Sequence, residues 1–175
     1  MKIAITGGTA GIGLALGNIY EVQGHEVVRL SRRNGYNIRS VPKVADAIAS
    51  CDMFINNAQA GFAQTELLFQ VCNRWQGLAN KTIISISTAM AAMPICPMTG
   101  LDMMEYRVQK VALEEAMRQL RFAKLGIKLI TVRPGAVATN SNEDFRADPA
   151  EWAQAMVDAL ASTMHIDEIT IHPKR

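Results

Sequence analysis

The chain has 175 residues, 49% of them hydrophobic and 19% charged, with a formal net charge of +2. That length suits a single domain over residues 1–175 with a core of its own, and the charge balance gives no electrostatic case for nucleic acid. Arg32-Arg33 and Lys174-Arg175 are the only basic clusters. No apolar run approaches the roughly 20 residues of a membrane span. The start "MKIAITGG" enters a strand rather than a signal peptide, so a soluble cytoplasmic domain is expected. Cys51, Cys72 and Cys96 are widely spaced and His25, His165 and His172 scattered, so no metal set and no disulfide is expected.

Short β-rich runs alternate with helix-length segments along the chain. "KIAIT" (2–6) reads as a strand and residues 11–23 as a helix with Ile12, Leu16 and Ile19 on one stripe. "EVVRLS" (26–31) is a second strand and "YNI" (36–38) a short third. A helix over 41–50 has Ser40 as its cap and Pro42 in its first turn. "MFINNA" (53–58) is a fourth strand, followed by a helix near 63–77.

"KTIISIS" (81–87) is apolar almost throughout, as in a strand covered on both faces. A long helix over 102–124, the strand "KLITVRP" (128–134), a helix near 149–162 and the strand "EITIHP" (168–173) follow. The alternation predicts a Rossmann-type α/β fold: a doubly wound parallel sheet of about seven strands with helices on both faces. In such sheets ligands bind beyond the carboxyl ends of the strands. The loops 87–100 and 135–149 lie there and are candidates for substrate contacts.

"TGGTAGIG" (6–13) joins the first strand to the first helix. Gly7, Gly11 and Gly13 allow a tight turn in which a pyrophosphate approaches backbone N–H groups and the helix start. The spacing is neither G-x-G-x-x-G nor a P-loop. The second strand ends with Ser31, Arg32 and Arg33 and no carboxylate. An acidic residue there would hold a ribose 2′-hydroxyl, whereas a guanidinium suits a 2′-phosphate, so NADP(H) is favoured, with NAD(H) as the other possibility.

Tyr106 and Lys110 lie on the inward stripe of the long helix with Leu113, Met117 and Leu120. Lysine is rarely buried without a partner or a task. A tyrosine with a pKa near 10 is a poor acid or base at neutral pH, and an ammonium one turn away stabilises its phenolate.

Together "TGGTAGIG", "NNAQA" (56–60), "YRVQK" (106–110) and "RPGAVAT" (133–139) resemble the successive motifs of the short-chain dehydrogenase/reductase family, in the family's order and over most of the chain. The resemblance implies that Gly7, Thr9, Gly11, Ile12 and Gly13 form the coenzyme-binding turn, with Ser31, Arg32 and Arg33 at the 2′-end. Asn37 and Ile38 match the adenine contacts. Asn56, Asn57 and Ala58 match the segment lining the ribose and steadying the sheet. Pro134, Gly135, Val137 and Thr139 match the grip on the nicotinamide carboxamide.

By the same resemblance Tyr106 and Lys110 are the catalytic pair, with Lys110 also on the nicotinamide ribose. The activity implied is an NADP(H)-dependent carbonyl reductase or alcohol dehydrogenase acting on a small-molecule carbonyl or alcohol. A non-catalytic NAD(P)-binding sensor or interaction module is the alternative.

The pattern departs from the family in three places. The catalytic hydroxyl is Thr88 or Ser87, and Thr88 precedes Tyr106 by 18 residues, a longer gap than usual. No asparagine lies in the helix after the fourth strand, where many members use one to organise a water; Gln64 is the nearest amide, and the asparagine role is taken as absent. The segment after Thr139 is short, so the usual helical lid is nearly missing: either the substrate is large and bound by a partner subunit, or the site is open and catalysis slow. Family members commonly pair the long helix with its copy, so a homodimer or homotetramer is expected, with Val108, Val111 and Glu115 on the face opposite Tyr106.

Overall fold

Burial on both faces of a sheet organises the chain. The computed structural model describes residues 1–95, 100–138 and 147–174. Among them, β1 (Lys2–Thr6), β2 (Glu26–Leu30), β3 (Met53–Asn56), β4 (Thr82–Ile86), β5 (Lys128–Pro134) and β6 (Glu168–Ile171) form one sheet in the order β2-β1-β3-β4-β5-β6. Every pairing is parallel. The helices are α1 (Gly11–Val22), α2 (Val41–Ile48), α3 (Ala63–Trp75), α4 (Leu101–Phe122) and α5 (Pro149–Leu160). This is the doubly wound sheet that the alternation predicts.

Successive strand residues point to opposite faces, so the apolar runs feed two cores. Ala4, Phe54 and Ile83 pack with Leu67 and Trp75 of α3 and Leu113 and Met117 of α4. Ile3, Ile5, Ile55 and Ile84 pack with Leu16 of α1 and Trp152 and Met156 of α5. Trp75 and Trp152 are fully buried, and each indole N–H donates to a backbone carbonyl, Ala49 O and Ile171 O. Cys51 and Cys72 are buried free thiols, while Cys96 lies outside the described residues.

The expected third strand does not form, and the sheet has six strands rather than about seven. After β2 the chain makes a short 3-10 turn, Arg32–Asn34, and Gly35 adopts φ 87°, a left-handed conformation that glycine takes without steric penalty. Tyr36 N then donates to Ser31 O at 2.8 Å, folding the segment back. Ile38 turns into the core beside Val41 and Val44 instead of extending the edge beyond β2. Ser40 does stand at the start of α2, but its side chain makes no capping bond; Pro42 supplies the preset first turn.

No described helix is long and apolar enough to cross a membrane. The described residues hold no group of three or more His, Cys, Asp or Glu suited to a metal.

Candidate active site

The site is built at the carboxyl ends of β1, β3 and β4, beginning with Thr6. Its buried hydroxyl accepts from Asn57 N at 3.0 Å and Ala58 N at 3.1 Å, and Thr6 O accepts from Asn57 Nδ2 at 2.9 Å. The Asn57 amide therefore ties the end of β3 to the end of β1. Asn57 also walls the glycine turn: a Cβ on Gly13 would lie 2.8 Å from Asn57 Nδ2 and 2.4 Å from Gly7 O. Only glycine allows this approach of helix to turn. Gly7 itself has φ 69° and Gly11 φ 50°.

Ala10 caps α1 without a side-chain bond, the first helical turn carries no acidic residue, and the backbone pairing within the helix starts at Leu14 N. The preceding N–H groups and the positive end of the helix are left for an anion. Arg29 braces the turn from behind, its Nη1 donating to Gly8 O at 2.8 Å.

Beside the turn opens a cavity of about 540 Å³. Gly7, Thr9, Asn37, Ile38 and Ala58 line it, along with Arg32, Arg33 and Arg39. All three arginines follow the end of β2 in the chain. Arg39 was not anticipated: it follows the Asn37-Ile38 pair, and the turn replacing the third strand brings it round. Ser31 lines the cavity as well, with its hydroxyl donating to Asn34 Oδ1 at 3.0 Å. Gly11, Ile12 and Gly13 build the turn but do not line the cavity.

Cradle and uncapped helix start together could hold a dinucleotide. The residues that would hold it are Gly7, Thr9 and the N–H groups of Gly11 and Ile12 at the pyrophosphate, with Arg32, Arg33 and Arg39 at the adenosine end.

The chemistry-bearing side chains stand apart from this cavity, where β4 meets α4. Ser87 and Thr88 meet α4 at two different places, Glu114 and Tyr106. Ser87 Oγ donates to Glu114 Oε1 at 2.6 Å. Glu114 in turn receives both arms of Arg133, at 2.8 and 2.7 Å. Arg133 continues to Glu168 at 2.6 Å, so one polar chain runs from buried Ser87 and Glu114 out to exposed Glu168 and joins α4, the end of β4, β5 and β6. Thr88 starts a second 3-10 turn, Ala89–Ala92, and accepts from Met90 N. Arg107 Nε holds the same turn through Met90 O at 3.1 Å.

Burial raises the Tyr106 phenol above its ordinary pKa, and the Thr88 hydroxyl beside it works the other way. The Lys110 nitrogen lies 5.6 Å from the centre of the Tyr106 ring. Lys110 is 3% exposed, and burial lowers its pKa to about 7 against the opposing pull of the Glu114 charge. Its Nζ donates to Gln64 Oε1 at 2.8 Å and to Ile86 O at 2.9 Å. Gln64 is thus more than a spare amide: it bonds the lysine directly. No local pattern could have shown this, because its partners sit on three other elements.

Beyond β5, Pro134 is buried and Gly135 N donates to Ile171 O at 2.8 Å. A Cβ on Gly135 would meet His172 Nδ1 at 2.7 Å, so the bend there rests on the end of β6. Val137 is buried and bridged to Ala147. Thr139 lies outside the described residues.

No family model and no curated protein sequence matches this chain. Solved structures do match in shape. A short-chain dehydrogenase/reductase from Vibrio parahaemolyticus superposes with a TM-score of 0.79 at 16% identity, over 99% of this chain and 100% of that one. The 3-alpha-hydroxysteroid dehydrogenase from Pseudomonas sp. B-0831, complexed with NADH, gives 0.74 at 20% identity over 98% and 95%. A short chain dehydrogenase from Burkholderia cenocepacia J2315 in complex with NADP gives 0.75 at 16% over 97% and 87%. The fold of this chain is therefore that of the short-chain dehydrogenase/reductase structures.

Proposed function

We propose that the chain is an NADP(H)-dependent oxidoreductase of the short-chain dehydrogenase/reductase family, interconverting a small carbonyl compound and its alcohol. The observation that carries the reading is the meeting of Tyr106, Thr88 and buried Lys110 at the end of β4, on the same carboxyl edge of the sheet as the glycine cradle. Neighbours of the same fold crystallised with NADH and with NADP support the nicotinamide coenzyme. The choice of NADP(H) over NAD(H) rests on Arg32, Arg33 and Arg39.

When bound, the coenzyme supplies or accepts a hydride at the carbonyl carbon. Thr88 Oγ1 holds the carbonyl oxygen, and the Tyr106 hydroxyl gives that oxygen its proton in the reducing direction. Lys110 stabilises the resulting phenolate and offers a hydrogen bond to the nicotinamide ribose. Asn57 and Ala58 would wall the ribose, and Pro134, Gly135 and Val137 would hold the carboxamide. In the oxidising direction Tyr106 takes the alcohol proton back.

The setting we propose is cytoplasmic, with Cys51 and Cys72 as reduced core thiols. Pairing of two copies through α4, where Val108 is 54% exposed, makes the enzyme a dimer or tetramer. Sedimentation as a monomer at micromolar concentration would refute that pairing.

The test is NADPH consumption by the purified protein against a panel of ketones and aldehydes. Turnover that Tyr106→Phe lowers by 100-fold or more, with coenzyme binding kept, supports the reading. Full turnover in Tyr106→Phe overturns it.

A further inference from the structure

We propose that Gln64 is a positioning residue for Lys110: anchored at the start of α3, its amide holds the lysine nitrogen at the carboxyl end of β4 and surrounds it with neutral acceptors. The role in turnover rests on the oxidoreductase reading; the clamp itself does not.

The amide has one orientation open to it. Gln64 Nε2 donates to Asn56 O at 2.7 Å and to Ile86 O at 3.1 Å. A flipped amide would set its oxygen against two carbonyl oxygens, so Oε1 is turned to Lys110, 2.8 Å from Nζ. The residue is gripped at its backbone too, where Gln64 O accepts from Asn56 Nδ2 at 3.0 Å. Gln64 is 2% exposed, so no water competes for these bonds on open surface. Ile86 O uses both its lone pairs, one on Gln64 and one on Lys110. Two of the three ammonium hydrogens are spent, which leaves one N–H for the reacting end of the site.

The surrounding charges explain why a neutral clamp matters. On α4, Tyr106 and Glu114 flank Lys110 by one turn each way. Glu114 is engaged by Ser87 of the β4 end and Arg133 of β5, and forms no ion pair with the lysine. From α3 the lysine meets only Gln64. Asn56 of β3 is uncharged, and its Oδ1 has no partner among the described residues. Lys110 is thereby held in place without a carboxylate that would fix its charge. Its pKa of about 7 lets it carry or release a proton near neutrality.

The experiment follows the Lys110 ε-carbon by NMR in protein carrying 13C-lysine, titrated from pH 5 to 10, with Lys110→Arg to assign the signal. No substrate is needed. The unmodified protein is expected to titrate near 7; Gln64→Glu raises the midpoint by at least one pH unit, a tenfold change in proton affinity, and Gln64→Met lowers it. In turnover, Gln64→Met is expected to reduce kcat tenfold or more with little change in KM for NADPH and to move the kcat–pH profile. A midpoint unmoved in the folded variant, either Glu or Met, overturns the clamp. Shifted midpoints in a protein that reduces no carbonyl would leave the clamp standing and sink the oxidoreductase reading instead.

Discussion

Ser87 Oγ sits 2.6 Å from Glu114 Oε1, and that bond turns the serine away from Tyr106 while its neighbour Thr88 faces the phenol. On the proposed function the two hydroxyls divide structural and chemical work. Thr88→Ala is expected to slow carbonyl reduction by at least tenfold with little loss of stability. Ser87→Ala is expected to keep turnover within a few-fold and to lose about 1.5–3 kcal/mol, the worth of a hydrogen bond to a charged group. Steady-state rates beside urea unfolding of both variants check the division.

Arg32, Arg33 and Arg39 share one end of the cavity. Losing one charge-assisted bond to a phosphate costs about 1.5–3 kcal/mol, or roughly 10- to 100-fold in affinity. Arg32→Ala and Arg39→Ala are each expected to weaken NADPH by that factor and to leave NADH nearly unchanged. Fluorescence titration with both coenzymes decides it; equal losses for the two would remove the 2′-phosphate assignment.

Gly13→Ala places a methyl group 2.4 Å from Gly7 O, inside the turn that fits the pyrophosphate. Backbone has to shift, at a cost of about 1–3 kcal/mol. The expected outcome is a lower midpoint in urea together with coenzyme affinity reduced beyond tenfold. Loss of stability alone would mean that the turn does not touch the coenzyme.

Burial lowers the Lys110 pKa from 10.5 to about 7, so between those values the unfolded chain binds a proton that the folded chain does not. Stability contributed by this group accordingly rises with pH from about 7 to about 10, at roughly 1.4 kcal/mol per unit at most. Below 7 both states are protonated and the burial penalty is fully present. Tyr106 and Tyr20 have raised pKa values and act in the opposite sense above pH 10. Urea midpoints from pH 7 to 10 are expected to climb in the unmodified protein and to climb much less in Lys110→Met.

The sheet was legible because its strands are apolar on both faces and its helices are striped. The glycine turn was legible because it lies within eight consecutive residues. Tyr106 and Lys110 stood out as polar groups on an inward stripe, which local periodicity reveals. Misreading 36–38 as a strand has a local cause: Tyr-Asn-Ile alternates like a strand, and only the left-handed Gly35 and the bond from Tyr36 N to Ser31 O turn it away. The choice between Ser87 and Thr88 needed Glu114, 27 residues later on another element. Gln64 was beyond reach for the same reason, since its partners Asn56, Ile86 and Lys110 lie on other elements, whereas Arg39 was hidden by the misread strand just before it.

The strand order has a consequence for how the molecule is made. Once β1 and β2 have paired, β3, β4, β5 and β6 each join the same advancing edge of the sheet in the order in which they leave the ribosome. No strand must be inserted between two that are already paired, and each finds its template waiting. The glycine turn belongs to the first strands made, while Tyr106 and Lys110 arrive on the helix between β4 and β5, docking onto a half of the sheet already synthesised.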